Sequence, residues 1–411
     1  MSTAISSSRG VSGVLRAPHV PRVLIASQVG RLPLASAPLA LLLYARESLT
    51  ITAAGLLVAA YTAGMAVGAP LLARTVDRWR QPPVLWGSAA LSGLGLLLVV
   101  AAGHTMAGAA VGAAVAGLGT PPLEACLRAL WPDLLPAELV QVGYALDIAL
   151  QEVIFVVGPL TTLGAVALGG PSAGLVAAAG LQLAGTGVFA LSRPVRAWRG
   201  VPAPRHWAGP LRAGRLVLLL LGVAGGGAGF GSLPVALAAY SEWVGDRSLT
   251  GWLLAAEAVG GLVAGLLWTR VRPGGPARLP VLAGLLAVGF LPLLLTPGPV
   301  PMVGLLAVCG VTLPPLLTTV FVTADRLAPT GTVAEAFAWV VTAFTLGSAA
   351  GAALTGALVP LGVRYGFALP PVAAGLGAVL MVLVVRPSRP GARERLSPGA
   401  PAVSSSRGRS E

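Results

Sequence analysis

The sequence predicts an all-α integral membrane protein, with twelve transmembrane helices in two pseudo-symmetric six-helix bundles. Three observations predict it. Of 411 residues, 55% are hydrophobic and only 10% are charged, against about 25% charged in a soluble domain. The apolar residues gather in twelve runs long enough to cross a bilayer. The second half of the chain repeats landmarks of the first.

Composition comes first because it excludes most alternatives. A chain this apolar cannot cover a water-facing surface, so most of it must face lipid. Its 55 glycines suit close helix packing in a membrane. All 27 basic residues are Arg, and the formal charge is +13. These Arg residues sit in short loops and tails between apolar runs and form no aromatic-basic nucleic-acid motif, so no nucleic-acid partner is expected. Cys126 and Cys309 lie inside apolar runs with no C-x-x-C spacing or His cluster, and read as buried thiols rather than metal ligands. His19, His104 and His206 fall in tails or loops. There is no Ser-His-Asp set, no pair of catalytic carboxylates and no G-x-x-x-x-G-K motif. Neither an enzyme nor a cofactor is expected, and no ATP-binding motif is present.

The spans are predicted at 22–44, 50–73, 82–102, 105–130, 139–163, 171–192, 215–240, 248–270, 279–296, 299–324, 333–358 and 366–385. With both termini cytoplasmic, inside segments hold 23 Arg and outside loops hold 3, Arg46, Arg247 and Arg364. That asymmetry orients the chain by the positive-inside rule. The predicted organisation is a cytoplasmic tail at 1–21, a six-helix bundle at 22–192, a cytoplasmic loop at 193–214, a second bundle at 215–385 and a disordered cytoplasmic tail at 386–411.

The repeat links the bundles. An offset of 196 places Ser36-x-Pro38 on Ser232-x-Pro234, Tyr44 on Tyr240, Gly55 on Gly251, Ala59-Ala60 on Ala255-Ala256 and Gly64 on Gly260. An offset of 193 places Pro121-Pro122 on Pro314-Pro315 and Pro136 on Pro329. The prolines are expected to break spans four and ten. Parallel six-helix repeats point to a transporter with its site near the bilayer midplane, between the halves.

The loop after span two reads Ala73-Arg74-Thr75-Val76-Asp77-Arg78-Trp79-Arg80-Gln81-Pro82-Pro83. With the twelve spans, the repeat and the Arg-rich central loop, it resembles the major facilitator superfamily, whose members usually read G-x-L-x-D-R-x-G-R-R there. Asp77 and Arg78 match; Ala73 and Arg80 replace the glycines, and Pro82-Pro83 the later basic pair. The likeness covers residues 20–386 and is closest to bacterial, actinobacterial-like efflux permeases. It implies a monomeric, multi-pass cell-membrane transporter of a small-molecule substrate, with spans one, four, seven and ten lining the cavity. It also implies that the Asp77 loop docks on the start of span eleven while the transporter is open outward. Asp77, Arg78, Arg74 and Glu335 are therefore gating candidates. Thr332-Val333-Ala334-Glu335 itself reads as a capping box, which would make Glu335 a helix cap.

Charges inside a bilayer are costly unless paired or solvated, so each is a functional candidate. Glu257 shares a helical face with Gly260, Gly261, Ala264 and Gly265. That small-residue stripe packs on protein, so Glu257 is either a protonatable coupling acid or a buried acid satisfied by a hydrogen bond. Arg31 needs a counter-charge. Spans one and five are neighbours in the family, so Glu152 or Asp147 is its expected partner. Those two acids lie five residues apart and cannot share one helix face. Gly158-Pro159 resembles the Gly-Pro of the family's antiporters. Glu124 and Arg128, at i and i+4, read as a structural ion pair at the cytoplasmic end of span four. The expected function is proton-coupled export of small hydrophobic or cationic compounds. The rivals are a proton-coupled importer of a small metabolite and a non-transporting membrane sensor.

Overall fold

The structure, a computed structural model, describes residues 10–47, 49–102, 105–200, 206–246, 248–271 and 274–386. The tail beyond Arg386, the first nine residues, His104, Arg247, Arg272 and Pro273 lie outside the described residues. Twelve helices have the length and apolarity to cross a membrane. They are α1 Val20–Ala45, α2 Ala53–Arg78, α3 Gln81–Ala101, α4 Met106–Leu134, α5 Ala137–Gly169 and α6 Pro171–Ala190 in the first half. In the second half they are α7 Gly214–Val244, α8 Leu249–Trp268, α9 Arg278–Leu295, α10 Pro299–Leu327, α11 Val333–Leu361 and α12 Val363–Val385. Helix is the form that satisfies every backbone donor within one segment, as lipid requires.

Four of these helices are interrupted: α12 at Phe367 and Ala368, between Val363–Gly366 and Leu369–Val385, and three others, each for a local reason. Helix α4 consists of Met106–Leu118 and Leu123–Leu134, with Pro121 and Pro122 in the gap. Helix α10 breaks between Gly310 and Leu313, ahead of the prolines that the sequence singled out. Pro314 and Pro315 occupy the first turn of the following piece, where a missing N–H costs nothing. The break in α1 was not anticipated. It falls at Leu32, between Val20–Arg31 and Pro33–Ala45. Pro33 cannot donate, and the Leu32 carbonyl instead takes both Ala35 N–H and Ser36 N–H at 3.1 Å.

The internal repeat appears as repeated contacts. Tyr44 Oη donates to the Val100 carbonyl at 3.1 Å, and Tyr240 Oη to the Pro297 carbonyl at 2.5 Å. Gly117 packs so closely on the Tyr61 carbonyl that no Cβ would fit, and Gly310 does the same to the Glu257 carbonyl. Tyr61 and Glu257 are equivalent at the offset of 196, and Gly117 and Gly310 at 193. Small residues thus let α2 meet α4, and α8 meet α10, backbone to backbone.

The halves meet at the end that carries the Arg-rich loops. Helix α5 packs on α8 and α10, and α11 on α2 and α4. Near its start α5 is buried on every side, from Gln141 to Ala149. Further along, Phe155, Val156 and Leu160 are exposed, and only Ile154, Gly158 and Thr162 remain buried. Helix α11 follows the same pattern: Ala334 to Ala338 are buried, while Leu346 and Leu354 are exposed. Both halves enclose α5 and α11 at the Arg-rich end and part beyond it.

Candidate functional site

Four charges form one buried network just above the closed end. Arg31 Nη1 donates to Asp147 Oδ1 at 2.7 Å, and Arg31 Nη2 lies 3.4 Å from Glu124 Oε2. Arg128 Nε donates to Asp147 Oδ2 at 2.9 Å, and its Nη1 pairs with Glu124. Gln28 and Gln151 complete the shell, at 3.1 Å from Asp147 and 2.8 Å from Arg31. Arg31, Asp147 and Arg128 are buried; Glu124 is 12% exposed. Two cations thus balance two anions where an unpaired charge would be costly. The helix breaks help place them. Arg31 is the last residue of its helical piece, where the dipole favours a cation, and Glu124 is in the first turn of its piece, where it favours an anion.

This geometry revises two expectations. Glu124 and Arg128 do pair, but as buried members of a network with Arg31 and Asp147 rather than as an interfacial bridge. Of the two acids offered to Arg31, Asp147 takes the bond and Glu152 does not. Glu152 faces α8 instead. Its Cδ lies 3.6 Å from where a Cβ on Gly261 would sit. Glu257 precedes Gly261 by one helical turn. Among the described residues, no cation pairs with Glu152 or Glu257. The two carboxyls therefore come from opposite halves, within about a turn of each other, at the level where the halves part.

The gating candidates assemble at the Arg-rich end. Asp77, at the end of α2, is buried against the start of α11. Its Oδ1 accepts from Ala334 N–H at 3.2 Å and its Oδ2 from Glu335 N–H at 2.7 Å. The capping box is therefore corrected. Thr332 makes no cap bond, and its hydroxyl donates to the Pro329 carbonyl. Asp77 caps α11 from the other half, and the Glu335 carboxylate pairs with Arg74 at 3.3 Å. Arg74 also donates to the carbonyls of His206 and Trp207 in the central loop. Arg78 is exposed. The equivalent place in the second half is occupied too: Gly274 N–H donates to Gln141 Oε1 at 3.1 Å. Sequence reasoning missed Gln141, because an uncharged residue at a helix start carries no signal of its own. Its offset partner, Ala334, was the available clue.

A twelve-helix membrane protein of two repeated halves, closed at one end and holding charges between the halves, defines the class of multi-pass secondary transporters. The chain belongs to the Major Facilitator Superfamily, whose model matches residues 32–330 and 218–408. It is thus a transporter of a small molecule rather than an enzyme. No curated protein sequence matches it. Among solved structures it is similar to a bacterial homologue of the iron transporter ferroportin in an outward-facing state, with 18% identity and a TM-score of 0.72, covering 89% of this chain and 98% of that one. It is also similar to the human organic anion transporter MFSD10 (18%, TM-score 0.66, 89% and 100%). A third likeness is to the E. coli fucose:proton symporter FucP (12%, TM-score 0.69, 90% and 100%). These likenesses show the shared fold.

Proposed function

We propose that the protein is a proton-coupled exporter of small hydrophobic or cationic compounds, working as a monomer by alternating access. The observation that carries this reading is the Glu152–Glu257 pair: two acids on opposite halves, with no cation paired to either among the described residues. A carboxylate in a site of low polarity needs a proton or a cationic ligand to offset its charge. Alternate occupancy by proton and cargo at one place is the minimal chemistry of an antiporter. The count of 23 Arg against 3 supports a cytoplasmic-membrane orientation with both termini inside. In that orientation the structure is open outward. The chemistries of the three similar structures differ, so fold alone does not select the cargo.

The test uses inverted membrane vesicles and a fluorescent lipophilic cation. An inside-acid proton gradient is expected to drive its accumulation, and Glu257→Gln to lower the initial rate at least tenfold. Accumulation confined to right-side-out vesicles would replace export by import. Absence of flux for cations, neutral amphipaths and organic anions alike would favour the sensor reading.

A further inference from the structure

Between the charged network and the Arg-rich end lies a ring of four side chains, two from each half. The Arg128 guanidinium carbon sits 3.7 Å from the centroid of the Phe321 ring. Phe321 meets Phe337 edge-on at 5.7 Å, and Phe337 meets Tyr144 edge-on at 6.0 Å. Tyr144 Oη closes the ring on the Arg128 carbonyl at 3.5 Å. All four residues are buried. Arg128 and Tyr144 belong to the first half, Phe321 and Phe337 to the second. At the offset of 193, Arg128 is the counterpart of Phe321 and Tyr144 of Phe337. Each residue therefore touches its own equivalent, which places the ring on the pseudo-twofold axis. The halves cannot separate at this end without breaking both contacts.

Only Arg128 belongs to both structures. One face of its guanidinium covers Phe321, while its N–H groups hold Asp147 and Glu124. We propose that Arg128 is a positioning residue that couples opening of the aromatic seal to the charged network. When Phe321 withdraws, water reaches the guanidinium and weakens its hold on Asp147 by raising the local dielectric. Asp147 is then left to Arg31, which ends the lower piece of α1 at its break. The seal at one end is thereby linked to the bending point of α1. This inference requires alternating access but neither proton coupling nor any particular cargo.

Spin labels at Asp133→Cys and Thr330→Cys, exposed positions at the Arg-rich ends of α4 and just before α11, report the spacing of the halves. The background carries Cys126→Ser and Cys309→Ser. Pulsed distance measurements are made on the full chain in nanodiscs. Phe321→Leu removes the ring and leaves all four charges. Arg128→Lys keeps a positive charge but loses the planar face. Each is expected to raise the long-distance population at least threefold, and the double variant no further than the larger single. An unchanged distribution in Phe321→Leu overturns the proposal, and that variant suffices should Arg128→Lys fail to fold. A double variant whose shift is the product of the two singles also overturns it, since Arg128 would then be a structural ion only.

Discussion

Asp147→Asn is expected to destabilise the folded chain by about 3–5 kcal/mol, the usual consequence of leaving a buried charge without its partner. Asp147 is the hub of the network: Arg31 donates to one of its oxygens and Arg128 to the other. Without that charge, two buried guanidinium groups share Glu124 alone. The loss is read from denaturant titration of the purified protein in detergent. The control is Arg31→Leu combined with Asp147→Leu, which removes one charge of each sign and leaves Arg128 with Glu124. Its cost is expected to be smaller than that of Asp147→Asn, although it changes more atoms. A cost below about 1 kcal/mol for Asp147→Asn would mean that water already solvates the network.

The second half shows that the fold itself does not call for these charges. At the repeat offsets, Arg31 corresponds to Gly227, Glu124 to Leu317, Arg128 to Phe321 and Asp147 to Val340. There α7 is continuous, and Gly227 lets its backbone pack directly on the Phe344 carbonyl. The same helical arrangement is thus built twice, once around four charges and once around apolar and small residues. A buried ion network is weak evidence for stability. Its presence in one half only, beside the broken α1, fits the coupling proposed for Arg128.

Much of the fold was legible because lipid imposes a length and a polarity on each span, and both can be read locally. The twelve helices follow from such signals, the two halves from the repeat, and the meeting of the end of α2 with the start of α11 from the family resemblance. What the sequence could not supply is the rotation of one helix against another. Asp147 and Glu152 were separable by face, but not which of them turns toward Arg31. Glu124 seemed complete with Arg128 at i+4, so its contact with Arg31 had no local signature. Thr332 and Glu335 have the spacing of a capping box, yet the cap comes from Asp77 in the other half. The stacking of Arg128 on Phe321 was visible only in hindsight, as two positions joined by the repeat offset.

Asp77→Ala should open the Arg-rich end. The carboxylate accepts from two consecutive N–H groups of α11, and those groups have no partner within their own helix. A cap is worth about 0.5–2 kcal/mol, and a charged one at a helix N-terminus lies toward the upper limit. Its loss should raise the population open at this end about 5–30-fold. Asp77→Asn retains one oxygen acceptor and so should fall between wild type and Asp77→Ala. Because Asp77 is buried, added salt should change the difference little. Arg74→Ala should act more weakly, since its pairing with Glu335 is partly exposed. Maleimide labelling of Ala338→Cys, a position of α11 buried at this end, in a background free of other thiols measures the ordering. If Asp77→Ala lowers thermal stability without increasing labelling, the cap only holds α11 together. A graded increase from wild type through Asn to Ala would make the bond between α2 and α11 one that is broken and remade as the transporter turns over.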